Sequence, residues 1–97
     1  MSELYLLSLW RGRIPIKPTM AQIFAAVCAD YGVEPELVRS RHRFPDAVIP
    51  RQEAMLRMVE TGQWTLPQVG RFFDRDHSTV IFAVRRAKAR RELSRAA

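Results

Sequence analysis

Taken alone, the 97-residue sequence reads as an all-α domain, a compact bundle of about five helices with a helix-turn-helix in its C-terminal half. Apolar residues recur at three- and four-residue intervals, and no segment reads as a strand. Thr19 and Thr65 are each followed three residues later by a glutamine, the spacing of a capping box at a helix start. Between residues 65 and 91 a short helical segment, a tight turn and a longer helix with a polar beginning follow one another.

The first 18 residues stand apart, set off by Pro15 and Pro18. They read as a short helix carrying Leu4, Leu7 and Trp10, or as an arm. The main domain is expected over residues 19–97. Its first helix follows the Thr19–Gln22 box, with Ile23, Phe24, Val27 and Tyr31 on the apolar face and Gly32 as a natural stop. A brief second helix over Glu34–Arg39 places Leu37 and Val38 inward. RSRHRFPDAVIP, residues 39–50, shows no useful period and reads as an exposed basic loop. Pro50 suits the first turn of a third helix, with Ala54, Met55, Met58 and Val59 on one side and Gly62 at its end. The fourth helix follows the Thr65–Gln68 box. Trp64 and Val69 are spaced for a hydrophobic staple, and Leu66, Val69, Phe72 and Phe73 form the buried side. After Asp74–Arg75–Asp76 a last helix begins near Asp76 or His77. Val80, Val84 and Ala87 face inward there, and Arg85, Lys88 and Arg91 outward.

Charge narrows the function. Sixteen basic residues, fourteen of them arginine, oppose ten acidic ones, for a net charge of +6. The excess is clustered: residues 39–57 hold five basic and two acidic side chains, and residues 71–97 hold eight and three. Such clusters are either solvated faces or an electrostatic footprint for nucleic acid. The helix-turn-helix pattern favours the second reading, because residues at the start of the second helix are those that touch base edges in the major groove. Asp76 is also a strong helix cap. The cap fixes the carboxylate and leaves one oxygen for a base amino group.

Within this frame, RDHSTV preceded by TLPQVGRFF resembles the signature of the C-terminal DNA-binding domain (domain IV) of the bacterial replication initiator DnaA, a Trp-repressor-like helical fold. That family typically reads GRDHTTV after a SLPEIG-type helix. The similarity extends upstream to Pro50–Arg51–Gln52, to the basic loop and to the IFAAVCADYGV helix, covering residues 19–91. It implies that Asp76, His77, Ser78 and Thr79 contact bases. It implies phosphate contacts for Arg51, Gln52 and Arg75. It also implies that an arginine of the basic loop, Arg39, Arg41 or Arg43, enters the minor groove. This loop is one residue longer than the family's, so which of the three does so stays open. Two features depart from the family. Asp74 alone replaces its Gly-Gly pair, making the turn one residue tighter. Ser78 replaces threonine, keeping the hydroxyl but losing a methyl that meets thymine methyls.

Other chemistry is poorly supported. No GxxxxGK[ST] loop occurs, so no ATPase activity is expected of this sequence. The Asp76–His77 pair lacks a recognisable nucleophile and oxyanion site. Two histidines and one cysteine are poor stock for zinc. No enzyme activity and no cofactor are therefore expected. Cys28 has no disulfide partner, no apolar run approaches a membrane span, and no leader is evident. The expected setting is cytoplasmic and nucleoid-associated, with double-stranded DNA as partner. The expected role is regulation of replication initiation or transcription, in competition or contact with the replication initiator, in a bacterium or a phage. A module that binds the initiator or another replication protein, and a nonspecific nucleoid binder, are the alternatives. A monomer is expected, with residues 1–17 packed on the first helix; a dimer through the same apolar patch is the other arrangement.

Overall fold

The computed structural model describes residues 17–96. The expectations for Leu4, Leu7 and Trp10 lie outside the described residues. The described residues form five helices: α1 (Met20–Tyr31), α2 (Pro35–Arg39), α3 (Pro45–Glu60), α4 (Leu66–Phe72) and α5 (His77–Ala96). No strand occurs among the described residues.

Local chemistry sets the helix ends. Both capping boxes form: Thr19 Oγ1 accepts from the Gln22 amide while Gln22 Oε1 accepts from the Thr19 amide, and Thr65 and Gln68 repeat the exchange. Gly32 closes α1 in the left-handed region, with φ 64°, and its amide donates to the carbonyls of Ala29 and Cys28.

Helix α3 is the axis of the bundle and packs against each of the other four helices. It begins at Pro45, not at Pro50, so the basic loop shortens to residues 40–44. Two prolines five residues apart each fit a first helical turn. The outcome follows from burial: Ala47, Pro50, Ala54, Met55 and Met58 are all fully or nearly buried and fall at helical spacing. At the N-terminus, the Phe44 carbonyl accepts from the amides of Ala47 and Val48, and Asp46 sits where the helix dipole favours a negative charge.

The core joins Ile23, Phe24 and Val27 of α1, Val38 of α2, Met55 and Met58 of α3, Val69 and Phe73 of the α4 region, and Val80 and Ala83 of α5. Phe24, Phe72 and Phe73 meet edge to face, with centroids 5.4, 5.6 and 5.0 Å apart. Two expectations of facing change. Tyr31 is 43% exposed and Cys28 takes its place in the buried stripe, because the apolar face of α1 ends where the chain turns at Gly32. Arg91, expected to face outward, is partly covered and paired with Glu53 and Glu60 of α3. Arg57 bridges Glu53 and Asp30 beside them. This network stitches α1, α3 and α5 together and neutralises arginines that the sequence leaves looking free.

Candidate nucleic-acid interface

Most of the residues singled out by the sequence lie on one surface, made of the end of α2, the 40–44 loop, the α4–α5 turn and the first turn of α5, whereas Arg51 and Gln52 are buried. The turn depends on Gly70. The Arg75 amide donates to the Gly70 carbonyl at 2.8 Å. A Cβ on Gly70 would stand 2.5 Å from the Arg75 carbonyl oxygen, closer than any real contact. Only glycine lets the chain reverse so tightly against α4.

Asp74 completes the reversal in the left-handed region, with φ 55°. Aspartate tolerates this conformation better than most residues but less well than glycine. Its carboxylate meets Arg41 at 3.2 Å across the loop, with side chains 92% and 77% exposed. An exposed pair of this kind contributes little. Asp74→Gly is therefore expected to stabilise the fold by about 0.5 kcal/mol, relief of backbone strain outweighing the lost pair and the added freedom of the unfolded chain. Urea denaturation measures it, and a destabilised variant would assign the ion pair the larger role.

Asp76 then starts α5. Its Oδ2 accepts from the Ser78 amide and the Ser78 hydroxyl, and its carbonyl accepts from the amides of Thr79 and Val80. These bonds from Ser78, with a smaller contribution from nearby His77, hold the Asp76 carboxyl below the usual aspartate range. His77 Nδ1 lies 3.4 Å from Asp76 Oδ1. Asp76, His77, Ser78 and Thr79 are all exposed. They present a carboxylate, an imidazole and two hydroxyls, a mixed set of donors and acceptors suited to base edges.

The loop is held beside this turn by arginine. Arg51 is only 7% exposed, and its guanidinium donates to three carbonyls: Val38 at 2.7 Å, Ser40 at 2.9 Å and His42 at 3.0 Å. Arg75 donates to the Phe73 carbonyl and, at 2.7 Å, to the same Ser40 carbonyl. The Ser40 oxygen thus receives two cations. Burial, and then the proximity of Arg75, lower the pKa of Arg51. Burial and Arg41 do the same for Arg75, partly offset by Asp74. Gln52 is buried beside Arg51. With α3 starting at Pro45, Arg51 and Gln52, to which the resemblance gives phosphate contacts, fall on its buried face.

The three loop arginines differ in their commitments. Arg39 donates to the Phe72 carbonyl at 2.7 Å and lies 4.6 Å above the Phe72 ring. Arg41 pairs with Asp74. Arg43 is exposed and makes no hydrogen bond or ion pair among the described residues. Sequence reasoning misses the Arg51 clamp, since an inward arginine looks like any other charge. Among the described residues no group of three His, Cys, Asp or Glu side chains is placed to hold a metal, and no helix is long and apolar enough to cross a membrane.

Comparison with known proteins agrees with this architecture. Residues 20–87 match the family described as the bacterial DnaA protein helix-turn-helix. The chain is similar to the chromosomal replication initiator protein DnaA of Deinococcus radiodurans, with 43% identity over 68 residues, 70% of this chain and 15% of that protein. It is 42% identical to the protein of the same name from Sphingopyxis alaskensis over 74 residues, 75% of this chain and 16% of that one. With the chromosomal replication initiator protein DnaA 1 of Chlamydia trachomatis it shares 39% identity over 70 residues, 72% of this chain and 15% of the relative. The chain thus spans less than a fifth of the length of these relatives.

Proposed function

Since this chain belongs to the bacterial DnaA helix-turn-helix family, we propose that it binds double-stranded DNA sequence-specifically, at sites of the replication-initiator type. The observation that carries this reading is the continuity of one exposed surface. The arginine segment is tied to the end of α4 and to the turn that leads into the polar start of α5, by Arg39 to Phe72, Arg41 to Asp74 and Arg75 to Ser40. A helix start in the major groove with a basic segment at the neighbouring backbone is the docking geometry of a helix-turn-helix reader.

In this reading Asp76, His77, Ser78 and Thr79 contact base edges. Arg43, which makes no hydrogen bond or ion pair among the described residues, enters the minor groove, while Arg39 and Arg41 lie along the phosphates. Arg51 and Arg75 act by pinning the loop in place. No ATP-driven step is assigned to this domain. Occupation of initiator sites would regulate replication initiation or transcription by competing with the initiator for DNA.

Two expected results test the division of labour. His77→Ala should leave the fold intact and reduce affinity for the specific site by about 1–3 kcal/mol, with little change on random duplex. Equal losses on both DNAs would remove His77 from base readout. Replacing Arg39, Arg41 and Arg43 together should weaken binding to all DNA and lower the salt slope by about 0.9 per lost phosphate contact. Restoring Arg43 alone should recover the preference for a narrow A·T minor groove. An unchanged salt slope would place the loop away from DNA.

A further inference from the structure

Phe82 is an exposed aromatic at the start of α5 that neither the core nor the polar readout uses. It is 59% exposed, whereas Phe72 and Phe73 of the same motif pack on each other. A phenylalanine left in water forgoes much of the free energy that burying its ring would contribute.

Its position is specific. Phe82 follows Ser78 by four residues and Thr79 by three, so it stands one turn further along α5 on the face those two begin. Helical side chains lean towards the helix N-terminus, which carries the ring towards the polar first turn. On its other side the Arg86 guanidinium lies 5.7 Å from the ring centroid, and Arg85 is exposed beside it. Along this face the order is therefore hydrogen-bonding groups, an apolar ring, then cations. The major groove offers a matching order: base edges, the thymine C5 methyl groups that project from them, then the phosphates of the groove wall. A second protein would find the ring hemmed in by arginines and polar groups, whereas an anionic duplex satisfies all three parts at once.

We infer that Phe82 is a specificity-determining residue that packs against a thymine methyl in the major groove. The inference rests on the DNA-binding reading and refines it. Ser78 has no methyl of its own, so the apolar part of base recognition on this face falls to Phe82 and the Thr79 methyl.

The test uses the full chain and a duplex site obtained by selection from random DNA. Each thymine of that site is replaced singly by deoxyuridine, which removes only the methyl group. For the unaltered protein, one or two positions are expected to lose about threefold to tenfold in affinity. Phe82→Ala should lose a similar factor on the thymine duplex and bind thymine and uracil alike at one of those positions. Phe82→Leu, apolar but smaller, should retain part of the discrimination there. Specific binding without any methyl-sensitive position, or with the same sensitivity in Phe82→Ala, overturns the inference and leaves the DNA-binding reading standing. Failure to select any site overturns both.

Discussion

Arg51→Met is expected to destabilise the protein by roughly 2–4 kcal/mol, because carbonyls turned inward to meet a guanidinium lose their donor. Methionine nearly fills the space of the arginine stem and supplies no N–H group. The Val38 and His42 carbonyls would then lack the donor they now have. Ser40 would keep only Arg75. The loop should loosen, and with it the placement of Arg41 and Arg43. DNA affinity should fall even at a temperature where the variant is fully folded, though residue 51 itself is 7% exposed. Urea denaturation gives the first quantity and DNA titration the second. A variant of native stability with weakened DNA binding would instead show that Arg51 reaches the phosphates directly.

The second large effect belongs to a methyl group. Gly70→Ala places a Cβ 2.5 Å from the Arg75 carbonyl oxygen. The obstacle is backbone, which cannot swing aside as a side chain can. Either α4 and α5 separate or the turn changes its path. The expected loss is about 2–3 kcal/mol, at the upper end for overpacking a buried site. The turn also aims α5, so the variant should bind specific DNA less well than its remaining folded fraction allows. Stability within about 0.5 kcal/mol of the parent, a typical tolerance for harmless changes, would show that the turn has room for a side chain at residue 70.

The legible parts of this protein are those in which the physical signal is local. Each capping box needs only four consecutive residues, and both form where Thr19 and Thr65 place them. The stop at Gly32 and the polar start of α5 are equally short-range. Where the decisive term is tertiary, the sequence divides or falls silent. Pro45 and Pro50 fit a helix start equally well, and the choice between them depends on Ala47 and Pro50 finding cover in the core. Arg51 carries the same charge as Arg43. Only the carbonyls of a distant loop, 9 to 13 residues away in the chain, turn one inward and leave the other exposed. The same holds for Arg91, whose partners lie on another helix. Phe82 and Phe73 are alike as residues, yet Phe73, at the end of α4, is turned into the core while Phe82 falls on the exposed face of α5.

The division has a functional logic. The residues proposed to meet DNA are polar side chains at a helix start, Phe82 one turn further on, and the exposed arginines at positions 39, 41 and 43. The residues that aim them, Gly70, Arg51 and Arg75, are at least partly buried and direct their hydrogen bonds inside the protein. Affinity in such an interface comes largely from charge and discrimination from base edges. Substitutions in the two groups should therefore separate in their salt dependence as well as in their effect on folding.

The most direct test of DNA recognition is a selection from random duplex DNA with the full chain, sequenced after successive rounds at fixed salt. Sequence-specific binding requires an enriched motif of the replication-initiator type, with an A·T-rich flank where Arg43 enters the minor groove, and loss of that enrichment in His77→Ala. A pool that stays random while the protein still retains DNA would contradict it, and would make this surface a nonspecific electrostatic one.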